Sequence, residues 1–176
     1  MTWLQSFNHA PDDVAEEALL ACCAAPAWAR AVAARRPYSA PADLLAAVDE
    51  EWWLLPRPEW LQALAAHPRI GERAAAKPQA GSADAWSAEE QSAVRLTAST
   101  ATQLADVNRA YEQKFGHTYI VCATGKSAQE MLSIAEQRMN NDAGTELRVA
   151  ASEQAKITRL RLEKLLTLEV EEGVRE

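Results

Sequence analysis

The sequence predicts an all-α protein: a single compact multi-helix domain over residues 1–176, with one short extended segment near 119–123. Three observations carry that expectation. All eight prolines lie between Pro11 and Pro78, so the first half reads as short helices with firm stops and the second as long ones. Apolar residues recur at helical spacing in several predicted elements. Tyr119-Ile120-Val121-Cys122-Ala123 is the only strong β-branched apolar run, and five residues form a lone extended segment or a buried turn into the next helix. With 176 residues, 48% of them hydrophobic, and six Trp, one domain is the natural size. Such a chain buries roughly 70% of its unfolded surface and needs no staple.

The elements run in order along the chain. Pro11, Asp12 and Asp13 start a helix, with acids at the positive end of its dipole; it runs to about Ala25 and stops near Pro26. Ser39 and Pro41 open another, carrying Leu44, Leu45 and Val48. Pro58 opens a third, with Trp60, Leu61 and Leu64, and Pro68 closes it. Residues 71–86 carry no apolar period and read as a mobile loop. A long helix spans about Ser87 to Phe115, with Val94, Ala98, Ala101, Ala105 and Tyr111 inward and Gly116 as its C-cap. Thr124-Gly125-Lys126 breaks the extended run, and Ser127 with Glu130 forms a capping box for a helix to about Asn140. Asn141, Asp142 and Gly144 make a turn into a last helix from about Thr145 to Leu168. The acidic tail, 169–176, frays.

Net charge is −7 and the pI is near 5.1, without a basic run, so neither nucleic acid nor an anionic membrane is an expected partner. Three cysteines, Cys22, Cys23 and Cys122, make no disulfide framework and read as reduced thiols of a cytoplasmic protein. No leader-like segment and no apolar stretch approaching 18 residues is present, and the last residues are not a peroxisomal signal. His9, His67 and His117 are scattered, without paired metal-ligand spacing, so no metal is expected. Gly125-Lys126-Ser127 lacks the first glycine of a phosphate loop, that position being Ile120, which argues against a nucleotide.

Three places can carry chemistry. In His67-Pro68-Arg69-Ile70-Gly71, Pro68 forces His67 off helical angles and sets an imidazole at a helix end. That suits general acid–base work, although a histidine that merely favours the dipole is the commoner case. Ser87 with Glu90 fits a capping box, and the same helix start, with Gln91 beyond it, offers N–H groups to an anion. Arg161 is the sharpest anomaly. Counted from Ile157 it falls at about 40°, inside a stripe formed with Leu165 and Leu168, so it points inward. An inward Arg needs a carboxylate, either a buried Glu or a substrate. Cys122 lies in an apolar run without an adjacent base and reads as a small buried hydrophobe.

Taken together, these residues resemble the OHCU decarboxylases of uric acid breakdown. The resemblance rests on His67-Pro68-Arg69-Ile70-Gly71, Ser87-x-x-Glu90-Gln91, Asn108-x-x-Tyr111-x-x-Lys114-Phe115-Gly116, Tyr119 to Ala123, and Lys156-Ile157-x-x-Leu160-Arg161-Leu162. It runs from about Phe7 to Leu165. It implies an all-α, cofactor-free, commonly homodimeric enzyme that converts 2-oxo-4-hydroxy-4-carboxy-5-ureidoimidazoline (OHCU) to S-allantoin. Carried over by motif, His67 is the catalytic acid/base and Glu90 the carboxylate beside it. Arg161 is the substrate-binding cation. Pro68, Ser87, Gln91 and the backbone of Tyr119, Ile120, Val121, Cys122 and Ala123 line the pocket. Tyr119 stands where relatives often have Phe, and Thr124-Gly125-Lys126 replaces an Arg that some relatives carry. The competing expectations are a non-catalytic helical binding module of the same fold and a lyase acting on a related ureido acid.

Overall fold

The computed structural model describes residues 1–70 and 98–168. Eight helices form among the described residues: α1 Trp3–His9, α2 Asp12–Cys22, α3 Pro26–Ala34, α4 Pro41–Leu54, α5 Arg57–Ala65, α6 Ala98–Phe115, α7 Ala128–Arg138 and α8 Ala143–Leu166. The all-α expectation holds, and the 71–86 loop, the start of the long helix with Val94, and the 169–176 tail lie outside the described residues.

Local chemistry explains the boundaries. Two helices are not anticipated by the sequence pattern. α1 is capped by Thr2 and Gln5, each accepting from the other's backbone N–H, an arrangement that settles a helix of seven residues. α3 begins at Pro26 itself, so the proline expected only to stop α2 also starts its neighbour. α2 therefore ends at Cys22 rather than near Ala25, with Cys23 extended. Pro41 and Pro58 each sit in a first helical turn. Ser127 and Glu130 do form the expected box: the Glu130 N–H donates to Ser127 Oγ (3.2 Å) and the Ser127 N–H to Glu130 Oε2 (2.7 Å). Asp142 caps α8 by accepting from Gly144 N and Thr145 N. Gly116 and Gly125 adopt φ of 75° and 76°, the left-handed turn that ends α6 and the one that ends the extended run.

α8 is the spine, packing against α1, α2, α4, α5 and α6, while α6 also pairs with α7. One apolar cluster gathers α1 to α4 with Ala151 and Leu162 of α8. Its indoles are also tied: Trp28 Nε1 donates to the Val48 carbonyl (3.1 Å) and Trp52 Nε1 to that of Ala151 (3.0 Å). A second cluster lies between α6 and α7, with Leu104, Tyr111 and Met131. The buried face of α6 runs through Leu104, Asn108 and Tyr111, while Ala101 and Ala105 are only half-buried.

The segment 119–123 is extended and joins no strand. Its side chains alternate, as an extended chain requires. Tyr119, Val121 and Ala123 enter the α6–α7 cluster. Ile120 and Cys122 enter a third cluster with Leu64 of α5 and Leu147, Ala150 and Ile157 of α8. The segment is a buried seam between two helix layers.

Candidate active site

His67 lies just past the last turn of α5, where its N–H still reaches the Leu64 carbonyl (3.2 Å). Pro68 then takes the chain out of the helix, as expected. Two contacts from α6 fix Arg69 and Ile70. Arg69 pairs with Glu112 through Nε–Oε1 at 2.7 Å and Nη2–Oε2 at 2.9 Å. Asn108 Nδ2 donates to the Ile70 carbonyl (3.0 Å). The imidazole is half-buried and its Nε2 lies 2.6 Å from Gln154 Oε1. His67, Pro68 and Arg69 also line a cleft of about 760 Å³, together with Pro58, Glu112 and His117. Neither Arg161 nor the 119–123 segment lines that cleft.

Arg161 is buried, 2% exposed, as its place in the stripe requires. Leu168, counted in the same stripe, is 53% exposed, because α8 ends at Leu166. Arg161 Nη1 donates to the Cys22 carbonyl (3.3 Å). Burial pushes the thiols of both Cys22 and Cys23 up to about 12, although the Arg161 charge opposes it, so both stay protonated.

A fully buried Glu on α8 pairs with a different cation. Glu146 of α8, 0% exposed, accepts from Arg138 (Nε 2.8 Å, Nη2 2.6 Å), from the Tyr111 hydroxyl and from Asn141 Nδ2 (2.7 Å). Arg138 sends its remaining nitrogen to the Ile120 carbonyl (2.8 Å). Its guanidinium also lies over the Tyr119 ring, 4.9 Å from the centroid.

All five residues from Tyr119 to Ala123 are buried, and much of their backbone is already bonded within the protein. The Cys122 N–H donates to Glu153 Oε2 (2.8 Å) and its carbonyl accepts from Lys126 Nζ (2.9 Å). The Ala123 carbonyl accepts from the Lys126 N–H (2.9 Å). Burial alone would raise the Glu153 carboxyl, but its bonds from Lys156 and the Cys122 N–H outweigh that and hold it below the ordinary carboxylate range. Among the described residues, the N–H groups of Tyr119, Ile120, Val121 and Ala123 and the carbonyls of Tyr119 and Val121 have no hydrogen-bond partner within the protein.

The site is therefore organised by residues of α8. Glu153 holds the extended segment, Gln154 holds His67, and Arg161 stands about two turns further on. Ser87, Glu90 and Gln91 lie outside the described residues. Sequence reasoning passed over Gln154 and Glu146, although the arithmetic that singled out Arg161 applies to both. Gln154 falls within about 20° of Arg161, and Glu146 within about 20° of Ile157. Among the described residues no group of three or more His, Cys, Asp or Glu is placed to hold a metal ion, and no helix is long and apolar enough to cross a membrane.

The all-α bundle superposes on a solved decarboxylase structure. A crystal structure of OHCU decarboxylase in the presence of (S)-allantoin superposes with a TM-score of 0.73 at 28% identity, covering 90% of this chain and 99% of that one. The chain belongs to the OHCU decarboxylase family, whose model matches residues 8–163. It is 32% identical over 156 residues to the uric acid degradation bifunctional protein TTL of Arabidopsis thaliana, covering 88% of this chain but only 48% of that longer protein. It is 29% identical to the 2-oxo-4-hydroxy-4-carboxy-5-ureidoimidazoline decarboxylase of Haloferax volcanii, covering 90% of this chain and 93% of that one. A structure of (S)-allantoin synthase, 17% identical with a TM-score of 0.68, shares the fold.

Proposed function

We propose that this chain decarboxylates OHCU in urate degradation with His67 as its acid/base, and that it delivers the final proton to one face of the intermediate. The carboxy-lyase reading is supported by the family match and by relatives named for that reaction. The observation that carries the site is the half-buried His67 imidazole held at 2.6 Å by Gln154, on the helix that also buries Arg161.

The chemistry asks for orientation and proton transfer. The bond to the carboxylate breaks, CO₂ leaves, and its electron pair moves into the adjacent C=N, whose nitrogen takes up a proton. The 4-hydroxyl then gives up its proton as a carbonyl forms, and the neighbouring ureido-bearing carbon accepts one. The substrate thus carries its own electron sink. Arg161 aligns an anionic group, and the N–H groups of Ile120, Val121 and Ala123 hold ring amides, a preorganised setting for delocalised charge. His67, with Glu90 beside it, moves the hydroxyl proton and the carbon-bound one. Pro68 fixes the histidine's backbone, and Ser87 and Gln91 complete the lining. The family resemblance further implies a homodimer, which light scattering checks as twice the chain mass.

The test generates the substrate in place from urate with urate oxidase and hydroxyisourate hydrolase, then follows the chirality of allantoin by circular dichroism. Rapid formation of S-allantoin on adding the protein is expected. Racemic allantoin at the rate seen without protein would leave a binding module of the same fold, or a lyase for a related ureido acid.

A further inference from the structure

Gln154 is fully buried on α8, and both ends of its amide are used. Its Nε2 donates to Thr158 Oγ1 (3.0 Å), and the Thr158 hydroxyl gives its own proton to the Gln154 main-chain carbonyl (3.0 Å). The hydroxyl therefore meets the amide as an acceptor, which turns Oε1 toward His67. An amide oxygen only accepts, so the proton on the bond to His67 belongs to the imidazole Nε2.

We propose that Gln154, oriented by Thr158, is a positioning residue for His67: it fixes the ring plane and holds the neutral imidazole as the Nε2–H tautomer, leaving Nδ1 as its basic nitrogen. This rests on the reading of His67 as the acid/base. The choice of an amide has a chemical meaning. A carboxylate in this place would orient the ring equally well, but its charge would favour the imidazolium. A neutral acceptor sets geometry and tautomer while favouring the imidazolium far less than a carboxylate would, which suits a group that must both take and give a proton. Among the described residues, other titratable groups share the cleft with His67. They are Arg69 and Glu112, paired with each other, and His117, whose pKa burial holds below the ordinary histidine value.

The test combines ¹⁵N NMR of the His67 ring with steady-state kinetics on Gln154→Leu and Gln154→Glu. In the wild type Nε2 carries the proton in the neutral ring. Gln154→Leu mixes the tautomers and lowers kcat about tenfold or more, with KM little changed. Gln154→Glu restores the single Nε2–H tautomer and moves the ring's titration, with the acid limb of kcat, to higher pH by about one unit or more. A merely structural glutamine would leave the tautomer unchanged in the Leu variant. The proposal is overturned by a Leu variant with wild-type tautomer and kcat, or by a Glu variant whose ring titrates where the wild type does. The Glu variant keeps size and acceptor, so it decides the matter even where the Leu variant fails to fold. Failure here is distinct from failure of the acid/base reading, which His67→Gln tests by activity alone; the NMR result stands in either case.

Discussion

Replacing His67 by glutamine removes the activity and leaves the fold. A glutamine amide nitrogen can occupy the place of the imidazole Nε2 and keep donating to Gln154 Oε1, the bond that measures 2.6 Å in the wild type. What it lacks is a nitrogen that exchanges protons near neutral pH. General acid–base catalysis contributes about 10²–10⁴-fold, and a loss of that size is expected in the rate of S-allantoin formation. His67→Ala should be equally inactive but less stable, because it strips the donor from a buried acceptor at a cost of about 1–3 kcal/mol. In a domain of this size each kcal/mol lowers the melting midpoint by roughly 2–4 °C. The pair of variants thus separates catalysis from stability: activity lost in both, melting lowered in alanine alone. A glutamine variant within tenfold of wild type would remove His67 from the proton-transfer role.

The parts of the molecule legible in the sequence are those set by local chemistry. Proline placement, the Ser127–Glu130 box and the left-handed Gly116 act within a few residues of themselves, and each lies where the sequence puts it. The double duty of Pro26 was hidden because a helix stop and a helix start carry the same residue. His67 and Arg161 could be picked out because each breaks a local rule, a histidine locked by proline and a charge inside an apolar stripe. Their partners could not be. Gln154 meets His67 across 87 positions of sequence, and Arg161 meets the Cys22 carbonyl across 139. The resemblance motif around Asn108 reads differently once its contacts are seen. Asn108 holds Ile70, Tyr111 holds Glu146, and Lys114 reaches the carbonyls of Met139 and Asn141. That motif is scaffold, tying the His67 turn and the start of α8 to α6.

Glu146→Gln is expected to destabilise the protein by about 3–5 kcal/mol, because it leaves Arg138 charged and buried without its counter-ion. Set against a typical total of about 5–15 kcal/mol, that loss lowers the melting midpoint by roughly 6–20 °C. The pair itself is a different matter. Two buried charges carry a desolvation cost that their attraction only offsets, so removing both is far milder than removing one. Combining Glu146→Gln with Arg138→Met should recover most of the stability, leaving the double variant well short of the sum of the singles. Urea unfolding of the four proteins measures this, and strict additivity would show that the pair is not coupled. The double variant also tests what the pair is for. Arg138 donates to the Ile120 carbonyl and lies over the Tyr119 ring, so its loss frees the extended segment while the helices stay packed. A raised KM for OHCU with recovered stability is then expected, since the backbone N–H groups at 120, 121 and 123 no longer sit in one place. A double variant with both stability and KM of the wild type would confine the network to folding and detach it from the substrate.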